Sequence, residues 1–227
     1  AALDNLVADR PAGRAGWYAD ARTAYLESLV PPPQPGDVDM GIITAQIQAR
    51  LPADAIITHG AGNFSIWANK FMQYGRDQRL LGPQSGSMGF GLPAALAAKA
   101  HDSGRFVLCF AGDGDFQMNG AELGTALQAG LHPVILILNN SSYGTIRMHQ
   151  ERAYPARISG TEIVNPDYVA LAGAYGFHGE RVTRTDDFAA AFERALDAAT
   201  GAIVEIVIDT EAIAPRTTIS ALREAAT

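Results

Sequence analysis

Two apolar runs constrain this chain more than any other feature: RFVLCFA, from Arg105 to Ala111, and PVILILNN, from Pro133 to Asn140. Neither alternates apolar with polar residues, as a strand with one wet face would. Both therefore read as central strands of a parallel sheet covered by helices on both sides. Parallel neighbours need a long crossover, and the stretch between the runs is long enough for one helix. Each run also ends in polar residues, Gly-Asp-Gly after the first and Asn-Asn at the end of the second.

The rest of the chain keeps the same alternation. Val38 to Leu51 has helical spacing, with Ile42, Ile43, Ile47 and Leu51 on the apolar face. AIITH (Ala55 to His59) reads as a short strand, followed by a glycine-containing turn and a helical stretch around Ile66 to Met72. Asn165-Pro166 is a good helix start for PDYVALAGAYG. A strand near Gly179 to Thr183, the helix DDFAAAFERALDAAT and the strand AIVEIVI (Ala202 to Ile208) follow. The expected fold is α/β, a parallel sheet with helices on both faces. Residues 1–36 look helical in pieces and run into PPPQPG, a stiff connector, so they read as the tail of a preceding unit. Residues 37–210 form the main domain, and 211–227 a loop and short helix lying over it.

Composition narrows the partners. With 227 residues and 48% hydrophobic content the chain is long enough for one complete core. A net charge of −7, with no cluster of Lys and Arg, disfavours nucleic acid and anionic membrane as ligands. No apolar run approaches transmembrane length and the N-terminus lacks a signal-peptide pattern, which points to the cytoplasm. The lone Cys109 lies in an apolar run and reads as a core residue.

In an open α/β sheet, ligands bind beyond the carboxyl ends of the strands, and Asp113 and Asn140 both fall there. A carboxylate, an amide oxygen and a nearby backbone carbonyl make a hard-oxygen site for Mg²⁺ or Ca²⁺. Gly112 and Gly114 let the backbone turn tightly and approach a ligand, and the amides of Gly114 and Asp115 would face an anion. Either motif alone is an ordinary turn or strand end. Their pairing, with one crossover between them, is what points to a site.

Three ordered blocks carry a family resemblance. Gly-Asp-Gly followed 27 residues after its Asp by the second Asn of Asn-Asn closely resembles the thiamine-diphosphate signature of the 2-oxo-acid decarboxylase and acetohydroxyacid-synthase superfamily. SGSMGFGLPAA (Ser85 to Ala95) resembles its aminopyrimidine-binding turn, and GAGNFSIW (Gly60 to Trp67) its diphosphate-side loop. The resemblance spans about Asp37 to Pro215, and the residues before Gly36 resemble the end of the family's central domain.

The resemblance implies Asp113 and Asn140 as side-chain Mg²⁺ ligands, with the backbone carbonyl of Ser142 as a third. It places Gly114, Asp115, Tyr143 and Gly144 against the diphosphate mainly through backbone amides, and Asn63 with the Phe64 backbone on its far side. Phe64 stands where many relatives carry a polar residue. Gly86 would accept a hydrogen bond from the cofactor's amino group, and Met88 would be the wedge under the thiazolium ring; its bland reading is a core filler.

The implied activity is that of the C-terminal, cofactor-binding part of an enzyme acting on 2-oxo acids by decarboxylation or carboligation, like acetolactate synthase. YGTIRMHQERAYPARISGT (Tyr143 to Thr161) looks most like the carboligating members. A benzaldehyde-lyase-like or benzoylformate-decarboxylase-like lyase and a non-catalytic cofactor-binding module stay open. His149 and Gln150 face either the pocket or the surface. The family's activating glutamate belongs to a separate pyrimidine-binding domain, from the same full-length chain or a partner subunit, and Glu122 reads only as a polar position on the crossover helix. Thiamine diphosphate and Mg²⁺ are the expected cofactors, FAD would sit on a central domain, and a homodimer or homotetramer is expected.

Overall fold

The computed structural model describes residues 14–225. The helical reading of residues 1–13 lies outside the described residues. The chain divides into two compact units, with the boundary between Pro31 and Pro32. In the first unit, helix α1 (Arg14–Ser28) exposes Trp17, Tyr18, Tyr25 and Leu26, and the Arg22 guanidinium lies 5.3 Å from the centre of the Tyr25 ring.

The second unit is built on six strands, β1 (Ile56–His59), β2 (Arg79–Leu81), β3 (Val107–Gly112), β4 (Val134–Asn139), β5 (His178–Val182) and β6 (Ala202–Val207). They form one sheet in the order β2-β1-β3-β4-β6-β5, and every neighbouring pair is parallel. The side-chain alternation of the central strands splits the core into two layers. Leu108 and Phe110 of β3, with Leu136 and Leu138 of β4, face one layer. Val107, Cys109, Ile135 and Ile137 face the other.

Helix α2 (Met40–Arg50) covers the first layer with Met40, Ile43 and Ile47; its N-terminus is capped by Asp39, whose carboxylate accepts from the amides of Gly41 and Ile42. Ile42, expected on the buried face, is half exposed. It sits one residue from Ile43, so the 100° step of an α-helix turns it out of the stripe that Met40, Ile43 and Ile47 share. Helix α8 (Phe188–Asp197) completes that layer with Phe188, Ala191, Phe192 and Ala195. The second layer is closed by helices α3 (Gly91–His101), α4 (Asp113–Asn119), α5 (Leu123–Ala129) and α7 (Tyr168–Ala174).

Two expected elements differ in detail, and one strand was not expected. The crossover between β3 and β4 is α4, a 3₁₀ turn at Gly120–Glu122 and α5, broken where Gly120 interrupts the helix. Glu122 lies in that turn and accepts a hydrogen bond from Thr125 Oγ1 at 2.6 Å. The stretch around Ile66 to Met72 contains a π-helical turn, Trp67–Phe71, whose two rings pack 5.1 Å apart. Strand β2 has no counterpart in the sequence reading: it is three residues long and largely exposed at the sheet edge, too short for a period to show.

The last segment runs along the carboxyl edge of the sheet. Helix α9 (Ile219–Ala225) packs Ile219 and Leu222 with Ile213, and Met148 of helix α6 (Gly144–Ala153) joins them. A fully buried carboxylate fastens the two helices. Glu151 of α6 accepts from Arg223 Nε at 2.9 Å and Nη2 at 2.7 Å, and from the Ala156 amide at 2.9 Å. The Arg223 hydrogen bonds hold its pKa down at about 2, against a burial effect of opposite sign. Because the folded-state pKa is depressed, the stabilisation is complete above the ordinary value of 4.5 and is lost as pH falls toward about 2. Thermal unfolding followed across that window should show a steep acid limb in the native chain and a shallower one in Glu151→Gln.

Candidate functional site

The strand order reverses direction between β1 and β3: the chain leaves β1 for β2 on one side and returns to β3 on the other. Loops leaving the carboxyl ends of two such strands part in opposite directions and open a crevice. A cavity of about 250 Å³ lies there. Asn63, Phe64, Gly86, Met88, Asp113, Gly114, Asp115, Asn140, Ser142, Tyr143 and Gly144 all border it, so the structure brings every candidate position together. Trp67, Thr145, Ile146 and the segment from Ala212 to Pro215 also line it.

Asp113 opens α4 directly after Gly112, which pairs with Leu138 of β4. The register therefore sets Asp113 beside the Asn139–Asn140 end of the neighbouring strand. Asp113 is 2% exposed, and burial raises its pKa. Hydrogen bonds from Asn165, Gly114 and Ser141 oppose that rise. The Gly114 amide, expected to face an anion, lies 3.0 Å from Asp113 Oδ1 and donates to it.

The two asparagines play different parts. Asn139 points into the protein, its Nδ2 donating to Glu205 at 2.6 Å and its Oδ1 accepting from the Ser141 amide at 2.9 Å. Asn140 borders the cavity, and its Oδ1 accepts from the Ser142 amide at 3.1 Å. Just after them the chain turns through Ser141 in the left-handed region, φ 52°, which needs such local bonds in a residue other than glycine. Tyr143 N donates to Thr161 O at 2.8 Å, and Ile163 N to Ser141 O at 3.0 Å, so residues 161–163 brace this turn.

Asn165 is the residue that sequence reasoning missed. It was expected only to start a helix, yet its Nδ2 donates to both Asp113 Oδ2 and Asn139 Oδ1 at 2.8 Å. Its Oδ1 accepts from Gln117 at 2.7 Å and from the buried Tyr168 hydroxyl at 3.0 Å. One carboxamide thus joins the ends of β3 and β4. An Asn-Pro pair also occurs at ordinary helix starts, so local pattern holds no trace of this role.

Asn63 is tied to two other stretches of the cavity wall. Its Nδ2 donates to Ile213 O at 2.7 Å, and its Oδ1 accepts from Thr145 Oγ1 at 3.0 Å. The Phe64 ring lies across Gly112 and Gly62, where a Cβ would stand 2.7 Å and 2.8 Å from ring atoms. Glycine at these places is a packing requirement of that ring. Asp115 is buried and its pKa is pushed up to about 6 by that burial. His149 and Gln150 do not border the cavity; His149 is exposed and Gln150 bonds Ser159 through both ends of its amide.

Among the described residues that line the cavity there is no Lys, Arg, His or Glu. Nor is there, among the described residues, any group of three or more His, Cys, Asp or Glu side chains able to hold a metal. The donors at the strand ends are oxygens: one carboxylate, one carboxamide and backbone carbonyls. That set suits a hard cation and not a soft one.

A family model described as "Thiamine pyrophosphate enzyme, C-terminal TPP binding domain" matches residues 60–206. The chain belongs to that family. This domain is similar to the acetolactate synthase isozyme 2 large subunit of Escherichia coli, 35% identical over 178 residues, which are 77% of this chain and 32% of that protein. It is also similar to the acetolactate synthase large subunit of Corynebacterium glutamicum, at 33% identity over 71% of this chain and 27% of that protein. The mitochondrial acetolactate synthase catalytic subunit of Saccharomyces cerevisiae is 33% identical over 68% of this chain and 23% of its own length. The domain thus spans about a third or less of the length of these curated relatives. It is a thiamine-diphosphate-binding domain, and no described helix is long and apolar enough to cross a membrane.

Replacing Asn165 with Ala leaves Asp113 Oδ2 and Asn139 Oδ1 without their shared donor. Unfolding in urea should show a loss of about 1–3 kcal/mol relative to the native chain, with an unchanged far-ultraviolet circular dichroism spectrum.

Proposed function

We propose that this chain is the diphosphate- and metal-binding part of a thiamine-diphosphate-dependent enzyme that acts on 2-oxo acids by decarboxylation and carboligation, as an acetolactate synthase does. The observation that carries the reading is electrostatic. The cavity holds buried Asp113 and Asp115 and no basic side chain among its described lining residues. A diphosphate entering beside two carboxylates would meet repulsion in a poorly solvated space, unless a divalent cation came with it. Mg²⁺ takes few protein oxygens and keeps phosphate oxygens among its ligands, which fits this donor set.

Asp113 and Asn140 would hold the Mg²⁺ with the Ser142 carbonyl, and Asn165 would keep Asp113 Oδ2 aimed. Gly144 would meet the diphosphate through its backbone, whereas the Tyr143 amide, expected to do the same, already donates to Thr161 O; Gly114 gives room for the Tyr143 ring, which a Cβ there would approach to 2.5 Å. Gly86 and Met88 would receive the aminopyrimidine and thiazolium ends. When bound, thiamine diphosphate supplies a nucleophilic carbon and an electron sink for 2-oxo-acid chemistry. The residues of this chain orient it and exclude water; the wall from Ala212 to Pro215, tied down through Asn63, performs the second task.

No glutamate borders the cavity among the described residues. Glu122 bonds Thr125, Glu151 bonds Arg223, and Glu205 bonds Asn139 and Arg181. The acid that activates the cofactor would therefore come from a pyrimidine-binding domain, in the same longer chain or in a partner subunit. On this reading α1 and the proline-rich run close a preceding domain, the place for FAD if it is used, and the assembly is a cytoplasmic homodimer or homotetramer.

Calorimetric titration tests the reading at the site itself. Thiamine diphosphate should bind with Mg²⁺ present and at least about 100-fold more weakly after chelation, since removing the cation leaves charges buried and unpaired. Asp113→Ala should abolish the Mg²⁺ dependence. Equal affinity with and without the metal would sink the metal assignment. Absence of 2-oxo-acid turnover by a longer protein that carries this sequence together with a pyrimidine-binding domain would sink the activity.

A further inference from the structure

Helix α4 does more than begin with Asp113. Two residues on, Asp115 turns its carboxylate away from the strand ends and into the loops that leave β1 and precede α3. Its Oδ1 accepts from the Gly89 amide at 2.8 Å and from the Ala61 amide at 3.2 Å. One helical turn later, Asn119 Nδ2 donates to Gly89 O at 2.8 Å. Residues 115 and 119 share one helix face, so one helix holds both the N–H and the C=O of Gly89.

The packing is built for this grip. A Cβ at Gly60 would stand 1.9 Å from Asp115 Oδ1, and a Cβ at Gly89 would stand 2.7 Å from Asn119 Nδ2. Gly89 also lies at φ 79°, in the left-handed region that glycine enters without strain. Both loops therefore meet α4 with bare backbone. The turn that ends at Gly89 needs such an anchor. Gln84 to Ser87 are exposed, and the hydrogen bonds within the turn are local, Gly86 N to Pro83 O at 3.2 Å and the Ser85 and Ser87 hydroxyls at 2.7 Å. Among the described residues, the hydrogen bonds that tie Ser85–Gly89 to the domain beyond Pro83 are made at Gly89. Met88, which borders the cavity, is the residue next to it.

A carboxylate that is 2% exposed and satisfied only by backbone amides is an expensive way to hold a loop. The two acceptor positions of its Oδ1 let it take both amides, one from each loop.

We propose that Asp115 and Asn119 are positioning residues for the organic end of thiamine diphosphate: they clamp Gly89 and thereby set Met88, while Asp113 on the same helix serves the diphosphate end. The inference rests on the cofactor reading given above. It makes α4 a rigid link between the two ends of the ligand, because 1.5 Å of rise per residue separates Asp113 from Asn119 by less than two turns.

The test uses two ligands that differ only in whether they reach Met88. On the proposed reading thiamine diphosphate would span the cavity, whereas inorganic diphosphate with Mg²⁺ would occupy the metal end alone. Binding is read by calorimetry, and by the fluorescence of Trp67 in a Trp17→Phe background, since Trp67 borders the cavity and is then the only tryptophan. Asn119→Ala should weaken thiamine diphosphate about tenfold while shifting Mg²⁺-diphosphate by less than about twofold, and Asp115→Ala, which also removes a charge beside the diphosphate, should weaken thiamine diphosphate about tenfold relative to Mg²⁺-diphosphate. Asp115→Asn keeps an oxygen acceptor facing Gly89 and should recover most of the affinity. Should Asp115→Ala fail to fold, Asn119→Ala carries the comparison, because it removes no charge. Variants that weaken both ligands equally, or neither, overturn the clamp and leave the cofactor reading standing. A native chain that binds Mg²⁺-diphosphate but not thiamine diphosphate overturns both.

Discussion

The parallel register that sets Gly112 opposite Leu138 is the constraint on which the rest of the site depends. It brings the end of β3 level with the end of β4, so that Asp113 and the Asn139–Asn140 pair emerge side by side. A shift of one residue would turn Leu108 and Phe110 out of their core layer and would carry Asp113 away from Ser141. Hydrophobic packing, worth roughly 1.5–3 kcal/mol for each large side chain buried, thus fixes the position of polar groups that packing alone would never bring together. The polar network then fastens what the register delivers. Asn165 bridges the two strand ends, Glu205 holds Asn139, and the left-handed turn at Ser141 is stabilised from both sides.

How much of this was legible in the sequence follows from which interactions are local. The unbroken apolar runs announced β3 and β4, because a strand covered on both faces has no polar alternation to hide it. The candidate positions were legible as motifs, since glycines at a strand end and a repeat of polar residues at the next strand end survive without tertiary information. Asn165 was not legible. Its four partners come from α4, β4 and the start of its own helix, and only the folded chain assembles them. Asp115 was legible as a position but not as a side chain, because its acceptors' partners, Ala61 and Gly89, lie 54 and 26 residues away. Strand β2 and the π-helical turn escaped for a different reason: three residues and one widened turn are too short for any period to be expressed.

The cavity wall shows how a ligand site can be bounded without basic residues. The segment from Ala212 to Pro215 has no charge to offer a phosphate, and it is held in place by main-chain bonds to Asn63 and Gln34 and by the small cluster of Ile213, Ile219 and Leu222. Glu151 and Arg223, remote from the cavity lining, anchor the helix that follows. The closure is therefore set by contacts that no bound anion could compete for. That separates the task of excluding water from the task of balancing charge.

On the proposed reading charge balance is left to the ends of β3 and β4, which ties the two halves of the site together. A lysine or arginine reaching in from another element could neutralise a diphosphate from many directions, with little demand on the fold. A cation held by Asp113, Asn140 and a backbone carbonyl tolerates no such latitude, because its ligands must keep near-octahedral directions. On the proposed reading, the helix that starts at Asp113 must therefore be held as firmly as the strand that precedes it. Asp115 and Asn119 meet that demand from one side through Gly89, and Asn165 and Tyr168 meet it from the other through Asp113 itself. On that reading the bonds from Asp115 and Asn119 that steady the helix of Asp113 also fix the turn carrying Met88, so that the geometry of one end of the ligand would imply the geometry of the other.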